Sequence, residues 1–220
     1  MPCAWEIQHQ ETVLCGILHV DTVTIAWSFG LRNLIIPGPI LPLTGMPYDM
    51  ARNVACMKAL EAGVDALFFL DSDVVAPRDT ILRLLAHNVP IVSGVYCRRS
   101  PPHGVPVMIK NGQWHTNYRT DRGLFEVDLV GSGCLLLRRE YLQKIPPLDP
   151  ERGRHWFDWR VDRASLLPPG EGLSEDFSMC LHARRNGYKV LVDPTILCRH
   201  IGYAEASYSS FKPMEATPIT

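Results

Sequence analysis

Residues 66–73 read ALFFLDSD. Ala66 to Leu70 is a continuous apolar run, without the alternation of a strand that keeps one face in water, and it predicts a strand covered on both faces. Asp71-Ser72-Asp73 follows directly, at the carboxyl end of that strand, where open α/β sheets place their ligands. Residues two apart in extended chain point to the same side, so both carboxylates can face one site. Two hard oxygen donors there suit Mg2+ or Mn2+ bridging a diphosphate. The same triplet also serves as a polar turn whose aspartate caps the next helix.

Upstream, Val13 to Val20 (VLCGILHV) fits a buried first strand, and Asp21 offers an N-cap for a brief helix through Phe29. Asn33 to Ile36 predicts a second strand, followed by a Pro/Gly-rich loop ending near Pro47. Pro47 to Ala62 reads as a helix, with Met50, Val54, Met57 and Leu60 near a 3.6 period, Pro47 in its first turn and Gly63 at its stop. Downstream, Pro77 to His87 predicts a helix and Pro90 to Tyr96 a buried strand. This alternation argues for an α/β fold with a mostly parallel sheet between helices.

The second half changes character. Val105–Ile109, Leu124–Val127 and Val130–Leu137 predict strands joined by turns such as Asn111-Gly112, hence a mixed portion of sheet. Arg139–Lys144 is a short helix and Ser174 to Asn186 a longer one, with a serine cap and Gly187 at its end. Lys189–Val192 and Thr195–His200 follow as strands. Pro146 to Gly172 is a long irregular segment, of a length that in a compact domain is usually either functional or disordered. Residues 1–202 are expected to form a single domain, with a loosely held tail at 203–220.

The chain has 220 residues, 46% of them apolar and 20% charged, enough for a sizeable core without disulfides. A net charge of −1 gives no global field toward nucleic acid or anionic membrane. Seven cysteines with no CxxC pair read as reduced thiols, several of them simply buried, and no close pair of cysteines or histidines suggests zinc. With no apolar run long enough to span a bilayer and no signal-peptide start, a cytoplasmic protein is expected.

Other residue groups carry chemistry. Glu175 and Asp176 open the late helix, where they either complement its dipole or supply a general base. Neighbouring helical residues project about 100° apart, so the two are not expected to share a role. His200 is either structural or a nitrogen ligand that would favour Mn2+ over Mg2+. Arg52-Asn53 could meet a nucleotide base or phosphate, and Gly131-Ser132-Gly133 permits close backbone approach to a ligand, or merely a bulge. Trp156-Phe157-Asp158-Trp159 suits either a sugar-facing lid or an anchor to the core.

In order, MARNVACMKALEAGVDALFFLDSDVVAP, VSGVYCRR, VGSGCLLLRREYL and GLSEDFSMCLHARRNGYKVLVDPTILCRHIG resemble the GT-A glycosyltransferases, close to the broad family-2 type. The resemblance spans roughly Met50 to Gly202. It implies a Rossmann-like three-layer sandwich and transfer of a sugar from a nucleoside-diphosphate sugar to an acceptor hydroxyl. It further implies that Asp71-Ser72-Asp73 is the DxD motif, with Asp73 the firmer ligand of Mn2+ or Mg2+ and Asp71 nearer the ribose or the metal. Asp176 would be the base, with Glu175 the less favoured choice, and His200 would complete the metal shell. Gly131 to Gly133 would lie against the donor sugar or the acceptor; Arg52 and Ser72 are further candidates for contact with the donor. Base contacts at His19 and Asp21 follow from position alone. The acceptor stays open: saccharide, small molecule, protein or modified nucleic acid. A sugar-phosphate nucleotidylyltransferase and a non-catalytic nucleotide-sugar-binding module are the alternatives; the glycine-rich basic loop of the first is replaced here by HVDTVTIAW.

Overall fold

The computed structural model describes residues 11–18, 22–99, 104–117, 123–148, 155–159, 167 and 172–201. His19, Asp21, Gly202, the tail at 203–220 and most of the segment from 146 to 172 lie outside these residues. The first half contains β1 (Val13–Leu18), α1 (Ile25–Asn33), β2 (Ile40–Leu43), α2 (Tyr48–Ala62), β3 (Ala66–Asp71), β4 (Val74–Val75), α3 (Thr80–Ala86) and β5 (Ile91–Val95). The second contains β6 (Met108–Lys110), β7 (Gln113–Trp114), β8 (Phe125–Val127), β9 (Leu129–Val130), β10 (Cys134–Arg138), α4 (Arg139–Lys144), α5 (Glu175–Arg185), β11 (Val190–Leu197) and β12 (Arg199–His200).

Seven strands form the main sheet in the order β2-β1-β3-β10-β5-β11-β8. Five run the same way; β10 and β8 oppose their neighbours. The fold is therefore α/β with a mostly parallel sheet and a mixed second half, as expected. Side chains alternate across the sheet, as extended chain requires. Leu67, Phe69, Leu135 and Leu137 join the core under α2, α4 and α5. Ala66, Phe68, Leu70, Cys134 and Leu136 join the opposite core, with Trp27 of α1 and Ile81 and Leu84 of α3. Helices thus lie on both faces. Two smaller sheets, β7-β6-β9 and β12-β4, complete the described fold.

Several local expectations are corrected. Asn33 ends α1 rather than opening a strand, and Thr24, not Asp21, caps that helix: its hydroxyl accepts from the Trp27 amide at 3.1 Å. The second strand lies within the proline-rich loop. As an edge strand β2 tolerates Pro42, while the carbonyls of Pro37 and Pro39 accept from Val13 and Cys15. In α2 the buried face is Ala51, Ala55, Cys56 and Ala59, whereas Met50 and Met57 are exposed. Small side chains let the helix lie close to the sheet, with Gly16 facing Ala55 and Phe69. Val130–Leu137 is not one strand: Gly131–Gly133 break it, sending β9 to the small sheet and β10 into the centre of the main one. The pieces expected at 189–192 and 195–200 are instead one strand, β11, with a register shift after Val192, followed by β12.

Other readings agree closely. Gly63 ends α2 at φ 65°, and Asn111-Gly112 turn with φ 53° and 74°, the left-handed pair of a tight hairpin. The six described cysteines are free and buried. Among the described residues, no helix is long and apolar enough to cross a membrane.

Candidate functional site

The DSD triplet sits on the turn leaving β3. The Ser72 amide donates to the Leu18 carbonyl at 3.1 Å, and the indole of Trp27 donates to the Asp71 carbonyl at 3.0 Å. This turn feeds β4, and β4 pairs antiparallel with β12, His200 opposite Val74. The pairing joins residues far apart in the chain. Asp73 Oδ1 lies 3.3 Å from His200 Nε2, and Asp73 Oδ2 lies 3.0 Å from an Arg99 nitrogen. The other imidazole nitrogen, Nδ1, is 2.7 Å from the Cys97 carbonyl. A carbonyl can only accept, so Nδ1 carries a proton, and Nε2 is the nitrogen turned toward Asp73. Burial works to raise the Asp73 carboxyl, but the hydrogen bond and charge of His200, with Arg99, outweigh it and hold the group below the usual value.

Asp71 faces elsewhere. Its Oδ1 meets the Arg52 guanidinium at 3.1 Å, and Arg52 Nε meets Glu175 Oε1 at 3.2 Å. Arg52 is 3% exposed and packs 5.2 Å from the Phe69 ring centroid and 5.9 Å from that of Phe157. Its burial opposes the charged form, yet Asp71, Glu175 and Asp176 together push its pKa up. Glu175, 5% exposed, is pushed up to about 7 by burial and by Asp176, against the pull of Arg52.

Asp176 diverges from its neighbour as helical geometry requires. Its Oδ1 accepts from the Phe177 amide at 2.8 Å and from the Ser174 hydroxyl; its Oδ2 accepts from the Ser132 amide at 3.3 Å. Burial raises its pKa above the usual carboxylate value despite these donors and Arg52. It is half-buried, whereas Glu175 is buried.

Gly131-Ser132-Gly133 has a packing reason. A Cβ on Gly131 would land on the Tyr96 hydroxyl, and one on Gly133 would come within 3.1 Å of Asp71 Oδ2. The Gly133 amide donates to the Tyr96 hydroxyl at 3.1 Å, and the Tyr96 ring meets the His200 ring edge-on at 5.4 Å. Tyr96 thus touches both the glycine loop and the histidine. It went unrecognised in the sequence, as did Arg99 and the Cys97 carbonyl. All three lie just past the carboxyl end of a buried strand, the only signal that could have found them.

Arg52 and Asn53 both point inward, away from solvent. Asn53 takes the loop instead: its Oδ1 accepts from the Trp156 and Phe157 amides at 2.8 and 3.1 Å, and its Nδ2 donates to the Phe157 carbonyl at 2.8 Å. Trp156 and Phe157 are buried anchors, and Trp159 alone of the three rings is exposed. Beside them a cleft of about 410 Å³, lined in part by Met50, Met57, His155 and Asp158, opens on the outer side of α2. Among the described residues, no three His, Cys, Asp or Glu side chains gather closely enough to hold a metal ion by themselves.

No protein-family model matches the sequence, and no curated protein matches it. Solved structures do. The crystal structure of A197 from STIV matches with a TM-score of 0.63 at 17% identity, over 96% of this chain and 98% of that one. The crystal structure of GalNAc-T7 with UDP, GalNAc and Mn2+ is a more distant match, with a TM-score of 0.49 and 11% identity over 89% of this chain; the match covers 44% of that one. What such identities establish is the fold, a GT-A-like three-layer α/β sandwich.

Proposed function

We propose that this chain is a metal-dependent glycosyltransferase that moves a sugar from a nucleoside-diphosphate sugar to an acceptor hydroxyl. The observation that carries the reading is the approach of Asp73 and His200, far apart in sequence, at the carboxyl edge of the sheet. Their donor set fits a divalent cation such as Mn2+. One hard carboxylate oxygen stands beside an imidazole nitrogen, and the ring's other nitrogen is fixed by a backbone carbonyl, the usual support of a ligating histidine. When bound, the ion would neutralise charge building on the departing nucleoside diphosphate.

The remaining roles belong to the chain itself. Asp73 and His200 would hold the ion. Asp71, Ser72 and the backbone of Gly131 to Gly133 border the donor. Arg52 holds Asp71 and Glu175 in place from below. Asp176 removes the acceptor proton: it is the more accessible carboxylate of its pair, and its raised pKa brings it nearer the value that suits a base at neutral pH. Glu175, buried against Arg52, supports it.

The decisive experiment is a thermal-shift screen of nucleoside diphosphates with and without Mn2+, on the wild type and on Asp73→Ala. One diphosphate should stabilise the wild type only with the metal, and Asp73→Ala should lose that shift. An equal shift in the variant would remove the metal assignment.

A further inference from the structure

Asp73 is shared between two unlike partners. On one side stands His200, its ring clamped by the Cys97 carbonyl at 2.7 Å and by Tyr96. On the other is the Arg99 guanidinium, 3.0 Å from Oδ2 on a side chain 49% exposed. The neighbouring Arg98 stacks on the Trp114 ring at 4.2 Å, which ties the chain down beside it and leaves any swing of Arg99 to its side chain. One partner is rigid, the other an arm in water.

We infer that Arg99 competes with a divalent cation for Asp73, and that its guanidinium passes to the donor diphosphate when the cation is bound. The inference rests on the glycosyltransferase reading above. A cation seated on Asp73 and His200 repels a guanidinium already touching the same carboxylate. An exposed ion pair is weak, so Arg99 leaves it at little cost. A nucleoside diphosphate brings negative charge to the same place, and arginine's planar fork matches phosphate oxygens. Arg99 therefore opposes metal binding alone and favours metal binding with donor, which couples the two events.

The test titrates manganese chloride alone into the wild type, Arg99→Ala and Arg99→Lys, following free Mn2+ by electron paramagnetic resonance. Adenosine, cytidine, guanosine and uridine diphosphates are then titrated in saturating Mn2+ by calorimetry. Arg99→Ala should bind Mn2+ alone about threefold more tightly, the scale of an exposed ion pair. It should bind the diphosphate about tenfold or more weakly, the scale of a lost charge-assisted contact. Arg99→Lys should fall between on both counts. Opposite signs are the signature. Two unchanged affinities, or weakening of both, would overturn the inference, provided wild-type Mn2+ binding is lost in Asp73→Ala. Mn2+ binding that is absent, or that survives Asp73→Ala, would overturn the metal assignment and Arg99's part with it. Ligand-free melting of Arg99→Ala should match the wild type, since its side chain is half in water.

Discussion

Around Arg52, charge is buried and mutually cancelled: a 3% exposed guanidinium lies between Asp71 and Glu175, against two phenyl rings. Around Asp73, two residues along the same turn, it stands partly in water between a fixed ring and a loose arm. The contrast teaches that the two aspartates of one Asp-Ser-Asp triplet differ in the partners that hold them. Both carboxylates are partly exposed, but Asp71 is held by the buried Arg52, while Asp73 is held by His200 and by Arg99, an arm half in water. Removing charge from the first place should cost stability, and from the second, binding.

The largest effect is expected at Arg52. Arg52→Ala leaves two carboxylates without their buried partner and should cost about 3–5 kcal/mol in denaturant unfolding; a loss under about 1 kcal/mol would erase the contrast. Gly131→Ala comes next. The added methyl meets the Tyr96 hydroxyl inside the packed wall, and a loss near about 3 kcal/mol is expected from over-packing. If Tyr96→Phe did not relieve part of that loss, the clash would lie elsewhere.

Glu175 tests the buried region by pH. Its folded pKa of about 7 lies above the ordinary 4.5, so the folded state holds a proton the unfolded state has released. Its contribution is favourable below about pH 4.5 and is lost as pH rises through 7. Glu175→Gln should therefore gain on the wild type between pH 5 and pH 8, by on the order of 2 kcal/mol. A pH-independent difference between the two would deny the shift. The smallest stability effect is reserved for Asp73→Ala, within about 1 kcal/mol of wild type by the same unfolding measurement. A larger loss would place Asp73 with the framework.

The sequence made some of this legible and hid the rest for physical reasons. ALFFL announced the central strand because continuous burial leaves a continuous apolar run. Gly63 and Asn111-Gly112 announced their turns through conformations few residues adopt. Asp71, Asp73, Glu175, Asp176 and His200 stood out by charge at element ends. Which carboxylate faces which partner did not, because Arg52's inward course depends on Phe69 and Phe157, residues it meets only in the fold. The helix face of α2 was misjudged because its alanines carry less hydropathic weight than its methionines. Tyr96 and Arg99 resembled ordinary residues after a strand.

The two-residue ribbon of β4 and β12 has a consequence for how the protein comes into being. More than half the chain separates Asp73 from His200, and β11 is already complete at Leu197. All seven strands of the main sheet therefore precede the histidine in the chain. A product that stopped just short of Arg199 would keep that sheet and lack half the proposed metal grip. On this architecture the proposed grip is completed only after the last strand of the main sheet.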